Sequence, residues 1–144
     1  SLCLALIVYY GGVLGDPAAT AKAVGIAEAK AGLDISVMIL RGILCNILVV
    51  LAVWMATSAQ DIISKIFACW FPIMLFVLCG FEHSVANMYF IPVGMLLGAN
   101  VSVGACATNL ICVTIGNIIG GAIIVPVIYY TTYLAADKKK SSNV

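Results

Sequence analysis

The sequence predicts an all-α bundle of transmembrane helices. Three observations predict it. Of 144 residues, 64% are hydrophobic and only 9% are charged, where a soluble domain carries about 25% charged. The charges gather in short polar stretches, separated by long neutral runs. Those runs do not alternate in polarity, as the ~10-residue strands of a membrane barrel do. The same composition, with a net charge of +1, excludes a disordered tail, a nucleic-acid binder and almost any soluble enzyme. A lipid bilayer is the expected surroundings, and no nucleic-acid partner is expected. The chain starts at Ser1, inside an apolar run. It reads as a piece of a longer protein, a single incomplete transmembrane domain.

Residues 1–14 carry no charge but are too few for a span of about 20 residues. They lack the basic leader of a secretory signal, so they read as the end of a helix. Residues 15–34 hold Asp16, Lys22, Glu28, Lys30 and Asp34 among alanines and glycines. They read as an outer loop with room for a short interfacial helix. Residues 35–59 are long enough to span, with Arg41 near the start as a snorkelling anchor and Asn46 deeper. Asp61, in the short connection that follows, suits the N-cap of the next helix.

Residues 65–98 are the odd run. As one straight helix they would measure roughly 50 Å, against a hydrocarbon core of about 30 Å. Gly80-Phe81-Glu82-His83-Ser84-Val85-Ala86-Asn87 interrupts them with the chain's one cluster of acid, imidazole, hydroxyl and amide. Irregular backbone at membrane depth survives only inside protein or beside a water-filled cavity. The expectation is therefore two half-helices, the first ended by Gly80 and the second capped by Ser84. Broken helices of this kind suit transport, because a half-helix N-terminus presents a positive dipole end to an anion.

Residues 101–136 supply a link and the last helix, whose span is expected at about 111–134. Gly116 and Gly120 stand four apart, as do Gly94 and Gly98, and Gly11 and Gly15. That spacing lets helix backbones approach closely in lipid. Residues 137–144 form a tail whose Lys138-Lys139-Lys140 cluster places the C-terminus in the cytoplasm. The result is a multi-pass integral membrane protein, expected in the plasma (inner) membrane. The six cysteines show no CxxC or Cys/His spacing, so no metal site, cofactor or disulfide framework is expected. Asn100-Val101-Ser102 is a formal glycosylation sequon.

The strings FEHSVANMYFIPVG, RGILCNILVVLAVW, KAVGIAEAKAG and VTIGNIIGG resemble consecutive signatures of the formate–nitrite transporter family. The resemblance covers nearly the whole chain. It implies a homopentamer of six-helix protomers, each an aquaporin-like bundle with its own pore and with helices two and five broken. This chain would be the C-terminal part, from most of helix three to helix six. The family's central pore histidine falls on His83, its neighbouring acid on Glu82 and its loop asparagine on Asn87. Its pore-facing asparagine falls on Asn46, and its outer-vestibule lysine, sixteen residues earlier, on Lys30. Its hydrophobic constriction falls on Phe76 and Val49. The short link around residues 99–105 favours a nitrite- or hydrosulfide-like member over a formate-type one.

Elementary chemistry fits these assignments. Lys30 on the outside would concentrate anions, and Asn46 offers a hydrogen bond without charge. Phe76 and Val49 would form a dry constriction that a neutral acid crosses more easily than its anion. His83 has a reference pKa near physiological pH and would exchange a proton with the transiting anion. The expected function is a pH-dependent channel or transporter for small monovalent anions such as formate, nitrite or hydrosulfide, with no catalytic residue. On the residues alone each feature has a plainer reading. A lone histidine in an apolar helix is usually a hydrogen-bonded structural residue. Asn46 serves equally as helix–helix glue, Lys30 as a solvated lysine, and Glu82 as an orienting group for His83. Other classes also stay open. A membrane-embedded enzyme using Glu82 and His83 lacks a nucleophile or metal set. A purely structural subunit remains, as does a neutral-solute channel of aquaporin type, which the absence of an Asn-Pro-Ala pair disfavours.

Overall fold

The computed structural model describes residues 1–134. The lysine tail expected in the cytoplasm lies outside the described residues. The described chain is all-helical, with α1 at Leu2–Tyr10, α2 at Pro17–Ala31, α3 at Ile35–Ser58, α4 at Ile62–Leu78 and α5 at Ser84–Leu96. The last helix, α6, runs over Val103–Leu134.

The Ala-rich segment expected as a loop with a short interfacial helix is the 15-residue helix α2. Polarity suggested a loop, but alanine is the strongest helix former, and the ends are well signalled. Asp16 accepts hydrogen bonds from the Ala18 and Ala19 N–H groups at 3.1 Å, Pro17 opens the first turn and Lys30 sits in the last. The small side chains of α2 then let it lie on α5: a Cβ on Gly94 would collide with Ala27 and reach the Ala23 carbonyl at 3.1 Å.

At 24 residues α3 is about 36 Å long and crosses the hydrocarbon core unaided. Asp61 caps α4 as expected. Its carboxylate accepts the Ser64 N–H at 2.8 Å and the Ser64 hydroxyl at 2.6 Å. Those two bonds hold the exposed Asp61 carboxyl below the usual carboxylate range. Helices α4 and α5, with 17 and 13 residues, measure about 26 and 20 Å. Neither crosses 30 Å alone, so the pair is one span broken in the middle.

Helix α6 starts at Val103, eight residues before the expected span, because Ser102 caps it by accepting the Ala105 N–H at 3.1 Å. It contains π-helical turns at Ile119–Ile124 and Tyr130–Leu134. Its glycines seat it against α3. A Cβ on Gly116 or Gly120 would strike the backbone carbonyls of Ile39 or Ile43, and one on Gly42 would lie 2.9 Å from the Val113 carbonyl. The four-residue spacing seen in the sequence is therefore an α3–α6 seam. Gly11 and Gly15 meet only their own segment.

The core consists mostly of small or branched side chains at these crossings, among them Ala27, Cys45, Ile91 and Val113. Large apolar residues point outward, and on α4 only Pro72 is buried. A groove of about 790 Å³ along α4, walled by Ile66, Trp70, Met74 and Leu78 among others, is almost wholly apolar. In a bilayer such a face meets lipid or another helix rather than water.

Candidate functional site

The break between α4 and α5 has to satisfy its own backbone, since no water is available at that depth. Gly80 ends α4 as expected. Its φ of +64° is the left-handed conformation glycine tolerates. The Gly80 N–H then donates to the Val77 carbonyl at 3.1 Å, and the Phe81 N–H to the Phe76 carbonyl at 3.0 Å, the pair of bonds that closes a Schellman cap. Gly98 ends α5 in the same way, at φ +100°.

The remaining groups of the break are met by α3 and α6. The Glu82 N–H donates to the Arg41 carbonyl at 3.4 Å, and the Arg41 guanidinium donates to the Gly80 carbonyl at 3.5 Å. The exposed Arg41 thus also reaches the break. From α6, the Asn117 carboxamide makes three bonds. Its Nδ2 donates to the Gly42 and Glu82 carbonyls at 2.9 and 3.0 Å, and its Oδ1 accepts the Ser84 N–H at 3.0 Å. Ser84 was the expected cap of α5. In the structure His83 occupies the N-cap position and Ser84 is the first helical residue, because Asn117 takes over the capping bond.

This backbone divides the expected site residues into three groups. His83, Phe76 and Val49 come together around a cavity of about 460 Å³, which Tyr89 and Phe90 also line. The His83 ring stacks on Phe76 with centroids 5.9 Å apart. His83 Nδ1 is buried without a partner among the described residues. An imidazole, an aromatic ring and a branched apolar side chain therefore face one space beside the N-terminus of a half-helix.

Lys30, Glu82 and Asn87 form a second group, and none of them lines that cavity. Lys30 was expected at an outer vestibule, where its charge would concentrate anions. In the structure its ammonium lies 2.8 Å from Glu82 Oε1 and 5.8 Å from the centre of the Phe90 ring. Glu82 is 2% exposed and Asn87 is fully buried. Asn87 Nδ2 donates to Glu82 Oε2 at 2.6 Å and to Asn109 Oδ1 at 2.8 Å. A carboxylate this deep requires such company, because an unpaired charge in apolar surroundings is very costly. The Lys30 charge is consequently spent on Glu82 rather than projected outward.

Asn46 makes the third group. It was expected to face the pore. Its Nδ2 donates to the Asn117 carbonyl at 2.7 Å, just ahead of the first π-helical segment, and a Cβ on Gly121 would come within 2.8 Å of it. One of its two N–H donors therefore joins α3 to α6.

Two residues that hold the site together escaped the sequence reading. Asn109 and Asn117 are buried amides in a run without charge. That is the signal available for them: a polar side chain at such depth needs a partner in protein. No metal-binding group of His, Cys, Asp and Glu occurs among the described residues.

The model of one family, Formate/nitrite transporter, matches residues 1–131. The chain belongs to the formate/nitrite transporter family. A protein of Methanothermobacter thermautotrophicus described as a probable formate transporter is 56% identical over 94 residues, covering 65% of this chain and 34% of that protein. The formate channel FocA of Escherichia coli K12 is 41% identical over 112 residues, covering 65% of this chain and 39% of that protein. Two solved structures share the fold at 30% identity. An FNT family ion channel superposes with a TM-score of 0.83 over 90% of this chain and 53% of that one. A pentameric formate channel with formate bound superposes with a TM-score of 0.77 over 92% of this chain and 62% of that one. The chain thus spans between a third and two thirds of the length of these relatives. Membership in a transporter family, together with these apolar helices, supports an integral membrane protein.

Proposed function

We propose that the complete protein carries small monovalent anions of weak acids, such as formate, nitrite or hydrosulfide, along a pathway that passes His83. The observation that carries this reading is the grouping of His83, Phe76 and Val49 around one cavity at the break between two half-helices. Phe76 and Val49 supply the dry step, at which a bare anion is penalised and its neutral acid is not. His83 supplies the proton that converts one into the other, and is the side chain whose reference pKa lies in the physiological range. The partial positive charge at the start of α5 draws the anion to that point.

The Lys30–Glu82 pair and Asn87 stand behind His83 and hold the loop that carries it. Nitrite and hydrosulfide meet the same requirements of size and charge. A pentamer of complete protomers, as in the structural relative described as pentameric, is the assembly this reading takes.

The test is anion flux into liposomes across about pH 5–8, for the complete protein and for His83→Phe. We expect the wild type to carry formate with a marked pH dependence. We expect the variant, which keeps a ring to stack on Phe76, to lose that dependence. An unchanged pH profile in His83→Phe would refute the role of His83. Absence of anion flux in the wild type would refute the function.

A further inference from the structure

We propose that Asn109 is a positioning residue for the ion pair behind His83, setting both the backbone from which Lys30 reaches Glu82 and the face that Asn87 turns to Glu82. The inference rests on the functional reading above for its transport consequences, but not for its geometry.

Asn109 lies in α6 and is fully buried. Its Nδ2 donates to the Lys30 carbonyl at 2.8 Å, and its Oδ1 accepts from Asn87 Nδ2 at 2.8 Å. Lys30 belongs to the last turn of α2, so its carbonyl is one of the four that a helix leaves unsatisfied at its C-terminus. By taking up that carbonyl Asn109 fixes the end of α2, and with it the stem whose ammonium lies 2.8 Å from Glu82 Oε1. The second bond fixes an orientation. Asn87 donates from the same nitrogen to Glu82 Oε2 and to Asn109 Oδ1. A reversed Asn87 amide would press its oxygen against a carboxylate and a carbonyl oxygen at once. Asn109 Oδ1 thus reinforces the one face of Asn87 that serves Glu82.

The bonds close into a ring, from Lys30 to Glu82 to Asn87 to Asn109 and back to the Lys30 carbonyl. It draws on α2, the break, α5 and α6, and Glu82 is the chain neighbour of His83. Opening the ring at Asn109 loosens the hold on Glu82, the chain neighbour of His83, while leaving every ionisable side chain in place. The other ionisable groups around the pair are Cys45 and Arg41 of α3, Glu28 of α2 and His83 itself. None of them is bonded to Asn109.

The experiment uses the complete protein in liposomes with formate as the probe. Asn109→Leu removes both bonds at similar volume. Asn109→Asp keeps the acceptor for Asn87, loses the donor to Lys30 and adds a charge competing with Glu82. We expect both to shift the midpoint of the transport pH profile, because the hold on Glu82, next to His83 in the chain, is loosened. A midpoint unmoved in Asn109→Asp overturns the proposal, whatever happens to yield or total flux. Should Asn109→Leu fail to assemble, Asn109→Asp decides alone. A second measurement is independent of transport. In a thermal-unfolding cycle, Asn109→Ala and Lys30→Met are expected to be non-additive. Additive effects overturn the proposal. Should the wild type carry no formate, the functional reading fails and the cycle alone decides this one.

Discussion

Asn117 holds the break with a single carboxamide, and the cost of removing it can be estimated. Asn117→Ala strands the Ser84 N–H and the Glu82 carbonyl and removes a second bond from the Gly42 carbonyl, which α3 already pairs within the helix. We expect a loss of about 2 kcal/mol in reversible unfolding of the complete protein in detergent, about 1 kcal/mol or more for each group left buried and unpaired. Asn117→Asp keeps the acceptor for Ser84 and loses both donors, so it should fall between the alanine variant and the wild type. Equal stability of all three would mean that the break is held by other groups. At this scale the sequence exposed half of the site. Glu82, His83 and Asn87 stood out because acid, imidazole and amide are rare at such depth. Asn117 stood in an equally apolar run, but as a single polar residue it offered nothing to say which helix it would meet. Lys30 was legible as a charge, but its pairing with Glu82 was not, because that partner lies 52 residues away.

The glycines of α6 act at the scale of whole helices. Those at 116 and 120 give α3 a flat surface, and backbone atoms stand where a side chain would go. Backbone cannot swing aside as a flexible side chain does, so even a methyl group must push the helices apart. We expect Gly116→Ala to lower the unfolding midpoint of the complete protein. Gly25→Ala, in an exposed part of α2 with nothing within 4 Å, should leave it unchanged or raise it by up to about 1 kcal/mol, since alanine is the better helix former. The reverse order of the two variants would contradict the α3–α6 seam. Element boundaries followed local chemistry closely. Asp61 and Gly80 do what their types and places implied, because a cap involves only a few neighbouring residues. α2 was obscured for the opposite reason. Its small side chains read as loop composition, and their purpose shows only once α5 lies against them.

Across the whole molecule, three expected crossings follow α2: α3, the α4–α5 pair and α6. The Asn100 N–H donates to Glu28 Oε1 at 2.9 Å, which brings the α5–α6 link to the C-terminal end of α2. The α3–α4 connection lies at the other end of α3. In a variant of the complete protein with its own cysteines replaced, we expect Asn100→Cys to react with an impermeant maleimide from outside the cell. Gln60→Cys should react only after permeabilisation. Both reacting from one side would contradict the crossing pattern, and the reverse labelling would contradict the orientation that the lysines imply. The sequence by itself determined that the chain is helical and membrane-embedded, that one helix is broken, where it breaks and which family it belongs to. Those features follow from composition, run length and local motifs, which need no knowledge of distant neighbours. Only the tertiary structure decided how the polar residues are shared out. It turned His83 to a cavity with Phe76 and Val49, tied Asn46 to α6 and closed Lys30, Glu82, Asn87 and Asn109 into a buried ring. Buried charges and amides must find partners wherever the fold brings them, and that choice is made by helix packing rather than by sequence spacing.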